Sequence, residues 1–101
     1  MSVHNFEFEW DPAKASSNLI KHGVDFVEAE TVFQDPFARV IDDPDHSADE
    51  CREIIIGYSN VRHLLFVAFA ARGARIRIIS VRRATREERK IYEEKCNQDS
   101  K

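Results

Sequence analysis

The sequence predicts an α+β fold: a single compact domain in which an antiparallel sheet is accompanied by two N-terminal helices and one C-terminal helix. Three observations predict it. Residues 6–10 alternate apolar and charged side chains with period two, the pattern of a strand with one buried face. Helix-start signals stand near both ends, at Asp11-Pro12 and at Thr85-Arg86-Glu87-Glu88. Between them, residues 52–58, 62–71 and 74–83 form three apolar or alternating runs separated by short polar turns.

The elements follow in order. Asp11 accepts hydrogen bonds from first-turn amides and Pro12 already has a helical φ, so a helix is expected over residues 12–22, stopped by Gly23. Lys14, Asn18, Lys21 and His22 share one polar stripe of that helix. Asp25 and Glu28 have capping-box spacing, and Phe26, Ala29, Val32 and Phe33 give a second short helix an apolar face, ending near Asp35-Pro36. Residues 37–41 are read as extended, and the acidic stretch 42–50 as an exposed loop. Tight turns at Ser59-Asn60 and Arg72-Gly73 join the three following runs into an antiparallel meander, whose apolar middle strand is central. Thr85 to Glu88 opens the last helix, with Ile91, Tyr92 and Cys96 on one side and helices packed mainly on one face of the sheet.

One hundred and one residues, 43% hydrophobic with seven Phe and one Trp, suffice for one domain (1–101, core about 5–96). The longest apolar run, residues 64–71, falls short of the ~20 residues of a membrane-spanning helix. The first residues lack a basic and apolar leader pattern, so a cytoplasmic protein without membrane association is expected. Cys51 and Cys96 are expected to be reduced, and His4, His22, His46 and His63 lack zinc-site spacing, so neither metal nor cofactor is indicated. The net charge of −3 hides a division. Residues 1–50 carry twelve acids against Lys14, Lys21 and Arg39, and residues 51–101 carry six acids against nine Arg and three Lys. The basic half suits a polyanion.

Three ordered blocks sharpen this reading. Trp10-Asp11-Pro12, Lys14, Asn18, Lys21-His22-Gly23-Val24, Phe26, Ala29 and Val32-Phe33 form the first; Glu50, Arg52 and Gly57 the second; Arg77, Ser80, Arg82, Ala84-Thr85, Glu88 and Tyr92 the third. Together they resemble the BrnT toxins of type II toxin–antitoxin modules over about residues 8–92. The resemblance implies a RelE-like ribonuclease domain, RNA cleavage without a metal, and neutralisation by a cognate BrnA-type antitoxin. It also implies contact with DNA only through the antitoxin complex.

The residues offer matching chemistry. A metal-free ribonuclease uses the RNA 2′-hydroxyl as nucleophile, so the protein must supply a base, an acid and positive charge for the phosphorane. Arg82 and Arg83, with Arg52 from a neighbouring strand, are the candidate charges, because a guanidinium presents a permanent fork matched to phosphate. In an ideal strand Arg82 follows Ile76, Ile78 and Ser80 while Arg83 follows Arg77, Ile79 and Val81, so the two point to opposite faces. The alternative for either is an ion pair with Glu50, Glu53 or Glu88. His22 is the candidate proton-transfer group, imidazole having an ordinary pKa near ~6.5, or it simply closes a helix as a cation. Glu50 is a second candidate base or a salt-bridge partner of Arg52. Lys14, Lys21, Arg77 and Tyr92 are candidate RNA contacts, with core packing the competing role for Tyr92. The rival function is a noncatalytic nucleic-acid- or antitoxin-binding module, which would bind RNA without making new ends.

Overall fold

The computed structural model of the chain describes residues 6–43 and 52–99. The elements are β1 (Glu7–Glu9), α1 (Pro12–His22), α2 (Phe26–Val32), β2 (Arg39–Asp42), β3 (Arg52–Tyr58), β4 (Leu64–Arg72), β5 (Arg75–Arg83) and α3 (Arg86–Asp99). Local signals start and stop the helices. Asp11 accepts from the Ala13 amide at 2.9 Å, Pro12 occupies the first turn, and Gly23 ends α1 at φ 71°, a left-handed conformation glycine adopts without strain. Asp25 caps α2 through the Val27 amide at 2.8 Å. The expected Asp25–Glu28 box is not formed. The Glu28 carboxylate instead accepts from Ser59 Oγ at 2.7 Å and lies 2.9 Å from His63 Nδ1, tying α2 to the β3–β4 turn. The Thr85–Glu88 box does form, with Glu88 N donating to Thr85 Oγ1 at 3.2 Å and Thr85 N to Glu88 Oε1 at 2.8 Å.

The sheet has strand order β1-β5-β4-β3-β2, so β4 is central as its continuous apolar run requires. Pairs β2–β3, β3–β4 and β4–β5 are antiparallel, whereas β1 lies parallel to β5, with Phe8 opposite Ile76. The parallel edge arises because α1 carries the chain away from β1 and the meander returns β5 to its side. The β3–β4 connection is longer than the expected two-residue turn, since β4 begins at Leu64.

Two clusters form the core, one on each face. Val24, Phe26, Ala29 and Val32 pack with Ile55, Leu65, Val67, Phe69, Ile76, Ile78 and Val81, with Trp10 edge-on to Phe26 at 5.8 Å. On the opposite face Ile54, Ile56, Leu64, Ala68 and Tyr92 pack with Phe66, Ile79 and Ile91. The helices are therefore divided, α1 and α2 on the first face and α3 on the second, not gathered on one as expected. Tyr92 is the reason: its ring meets Tyr58 edge-on at 5.3 Å and its hydroxyl donates to Asp35 Oδ2 at 2.8 Å. Asp35 also accepts from Phe37 N and Tyr58 N, joining α3, β3 and the segment after α2. Gly57 permits this close approach, since a Cβ there would lie 2.9 Å from Ala38 Cβ and 3.1 Å from Asp35 Oδ2.

Candidate functional site

A β-bulge decides which side chains meet. Ala68 pairs with Ser80 but Phe69 with Ile78, so Ile79 is the extra residue on β5. Its insertion shifts the alternation. Ile76, Ile78 and Val81 face the first cluster, while Ile79 packs with the second. Arg82, opposite Phe66 and 4.0 Å over its ring, shares the face of Ile79. The expected grouping of Arg82 with Ile76 and Ile78 is thus corrected, because the bulge resets the phase of every residue after it. Arg83, opposite Leu65, points to the other face and is exposed; among the described residues its guanidinium has no ion-pair partner.

Arg52 and Arg77 complete the face. Arg52 is in phase with Ile54 and Ile56, and it pairs with Ala70, which in turn pairs with Arg77. β4 lies between them, so Arg52 is two strands from β5, not its neighbour. Two strand spacings separate the Cα atoms by roughly 10 Å, which two arginine side chains can bridge onto one phosphate. Among the described residues Arg77 makes only a long ion-pair contact, to Glu9 at 3.9 Å. α3 packs mainly on β3 and β2, which leaves this part of β4 and β5 to the arginines.

The α1 stripe lies at the edge of the same surface. Lys14, Ser17, Lys21 and His22 line a groove of about 180 Å³ with Ile79 and Ser80, and Ile79 is the residue flanked by Arg77 and Arg82 on β5. Asn18, expected as part of the polar stripe, is buried. Its amide donates to Val81 O at 2.9 Å and Val24 O at 3.1 Å, and its oxygen accepts from Val81 N at 3.1 Å. Beyond Glu9 β1 no longer covers β5, so Asn18 supplies the missing strand partner and fixes α1 there. Arg52, Arg77 and Arg82 thereby share the second face, and Lys14, Lys21 and His22 line the β5 edge that borders it at Ile79 and Ser80.

Arg82 is not idle in this state. It forms a two-pronged ion pair with Glu88, at 2.8 and 2.9 Å, the alternative anticipated for it. Burial pushes the Glu88 carboxyl up, but hydrogen bonds from Arg82 and Thr85 outweigh burial and hold its pKa below the ordinary 4.5. A depressed carboxyl contributes stability that is full above the unfolded-state value and lost as pH falls through the folded one. Urea denaturation across the acid range should therefore show wild type and Glu88→Gln converging as pH drops below 4.5, with wild type the more stable above it. A constant difference across that range would mean that the ionised carboxylate contributes nothing.

Tyr92, a candidate RNA contact, is 6% exposed and hydrogen-bonded to Asp35. A base cannot stack on it while α3 is in place, so packing is its role in this structure. Glu50 lies outside the described residues, as does Cys51. Two features escaped sequence reasoning: the Arg82–Phe66 stack and the Asp35 hub. Phe66 carried a signal, one of two aromatics in the apolar central strand, but its partner depends on register. Among the described residues no group of His, Cys, Asp or Glu is arranged to hold a metal ion, and no helix is long and apolar enough to cross a membrane.

Comparison with known proteins agrees with this architecture. A sequence model of the family described as "Ribonuclease toxin, BrnT, of type II toxin-antitoxin system" matches residues 10–88. The crystal structure of the Brucella abortus ribonuclease toxin, BrnT, is similar at a TM-score of 0.63 and 27% identity, covering 81% of this chain and 100% of that one. No curated protein matches.

Proposed function

We propose, because the chain belongs to the family of BrnT ribonuclease toxins of type II toxin–antitoxin systems, that it is a metal-independent endoribonuclease whose cleavage of RNA inhibits translation and growth. The observation that carries this reading is the bulge at Ile79, which puts Arg77 and Arg82 on the face of Arg52, while the Lys14–Lys21–His22 groove borders that face at the β5 edge. In the proposed reaction the RNA 2′-oxygen attacks the adjacent phosphorus as its proton passes to a base. The P–O5′ bond breaks as an acid protonates the departing oxygen, leaving a 2′,3′-cyclic phosphate and a 5′-hydroxyl. His22, exposed at the groove, is assigned one of these transfers and Glu50 the other. Arg82, Arg52 and Arg77 hold the charge gathering on the phosphorane, where one well-aimed donor is worth ~3 kcal/mol. Lys14 and Lys21 hold flanking phosphates, while Arg83, on the opposite face, is left outside the reaction. The cell controls the activity through an antitoxin of the BrnA type, and DNA is met only through that complex.

The test is direct. Purified protein should cleave RNA at an undiminished rate in excess EDTA and leave 2′,3′-cyclic phosphate ends, which 3′-end chemistry identifies. Cleavage abolished by EDTA and restored by Mg²⁺ would overturn the metal-free mechanism. The Arg82–Glu88 pair favours a second reading, a noncatalytic module that grips RNA or antitoxin with its remaining cations. It predicts salt-sensitive RNA binding with no new ends.

A further inference from the structure

We propose that the cleft beneath the β3–β4 turn is a nucleotide subsite, which takes the base and phosphate of an RNA residue near the scissile linkage. This rests on the ribonuclease reading and adds to it a site for sequence preference. The cleft, about 600 Å³, is lined by Gln34 and Asp35 beyond α2, by Tyr58 at the end of β3, and by Asn60 and Arg62 in the turn. Its volume falls within the ~300–1000 Å³ of small-ligand pockets, and it is larger than the groove beside His22.

Its chemistry is that of base recognition. Unstacked RNA bases are read by aromatic faces and by side chains that pair with their edges. Tyr58 supplies the half-buried ring, and Arg89 donates to its hydroxyl at 3.1 Å. The Asp35 carboxylate is engaged by three donors, Phe37 N, Tyr58 N and Tyr92 Oη, so it forms a fixed acceptor floor. Among the described residues the Gln34 carboxamide and the Arg62 guanidinium make no hydrogen bond or ion pair, and the Asn60 carboxamide uses only its oxygen, in a 3.4 Å contact from Thr31. Carboxamides match the paired donor and acceptor of a base edge, and a guanidinium matches phosphate. Arg62 holds a left-handed φ of 70°, the only positive φ outside glycine among the described residues. Glycine would sit there unstrained, so the guanidinium is kept against a backbone preference.

Position links the cleft to the reaction. Ile56 pairs with Phe66, which pairs with Arg82, and Tyr58 lies one same-face step beyond Ile56. Two strand spacings and one such step place Tyr58 roughly 12 Å from Arg82, a span that a short single-stranded segment covers. Arg89 and Glu88, adjacent on α3, hold Tyr58 and Arg82 respectively.

AMP, GMP, CMP, UMP and ribose 5-phosphate should be titrated into ¹⁵N-labelled protein, and the cleavage sites of a mixed RNA mapped in parallel. One mononucleotide is expected to shift the Asn60 and Arg62 amides and the Gln34 side-chain signals, with ribose 5-phosphate weaker by on the order of tenfold. Arg62→Gly, which suits the backbone at φ 70°, should keep the fold, weaken the mononucleotide by on the order of tenfold, and alter the mapped sequence preference. Arg62→Lys should restore part of the binding. Mononucleotide shifts absent from the cleft, or confined to the His22 groove, would overturn the subsite even if RNA is cleaved. Ribose 5-phosphate binding equally well would overturn base recognition. Cleft binding by a protein that cuts no RNA would support the subsite while removing the nuclease.

Discussion

Replacing Arg82 by alanine is expected to lower the rate of RNA cleavage about a hundredfold, whereas Arg83→Ala should leave it within about threefold of wild type. The asymmetry follows from the bulge at Ile79, which turns Arg82 toward the face of Arg77 and Arg52 and leaves Arg83 on the other. Because Arg82 also binds Glu88, a falling rate alone would not separate chemistry from structure. Arg82→Lys supplies the comparison: it keeps the charge but loses the planar fork, so most of the rate should be lost with thermal stability little changed. Glu88→Gln retains the arginine and its place over Phe66, and should cost less activity than Arg82→Ala. Full cleavage by a folded Arg82→Ala protein would remove Arg82 from the reaction, and equal losses at positions 82 and 83 would discard the assignment of faces.

The same residues show where sequence reading succeeds. Asp11, Pro12, Gly23, Thr85 and Glu88 act on amides within a few residues, so their signals are local and the bounds of α1 and the start of α3 were legible. The central place of β4 was legible too, because a run apolar on both faces must be covered on both. Features set by register between distant segments were not. Nothing in residues 75–83 announces that Ile79 is extra; the bulge exists only relative to β4, and it alone reverses the face of Arg82. Tyr92 and Asp35 lie far apart in sequence, so their hydrogen bond, which holds α3 to the second face, could not be read from either. Glu28 looked like a cap by spacing, yet Ser59 and His63 offer it partners that a helix amide does not outcompete. The cations were legible as residue types, and the face that Arg52, Arg77 and Arg82 share was not.

Asn18→Ala is expected to destabilise the fold by about 3 kcal/mol, a large share of a small domain's total. Asn18 is 7% exposed, and its carboxamide serves three backbone groups: the N–H and C=O of Val81 and the C=O of Val24. Alanine would leave all three without their partner at a cost of about 1 kcal/mol or more each. Asn18→Asp is the sharper comparison. It can still accept from Val81 N, but it has no N–H for the two carbonyls and sets a charge beside them, so it should be at least as damaging as alanine. Urea denaturation read by Trp10 fluorescence checks both, since Trp10 packs against Phe26 in the core that α1 and α2 cover. A functional consequence follows from position. Asn18 anchors the helix that carries Lys14, Lys21 and His22 to the bulged part of β5, so residual folded protein should show weaker RNA binding and slower cleavage together. A variant that lost activity with unchanged stability would instead mean that Asn18 meets the substrate itself, and the groove would have to be redrawn with its amide facing the RNA.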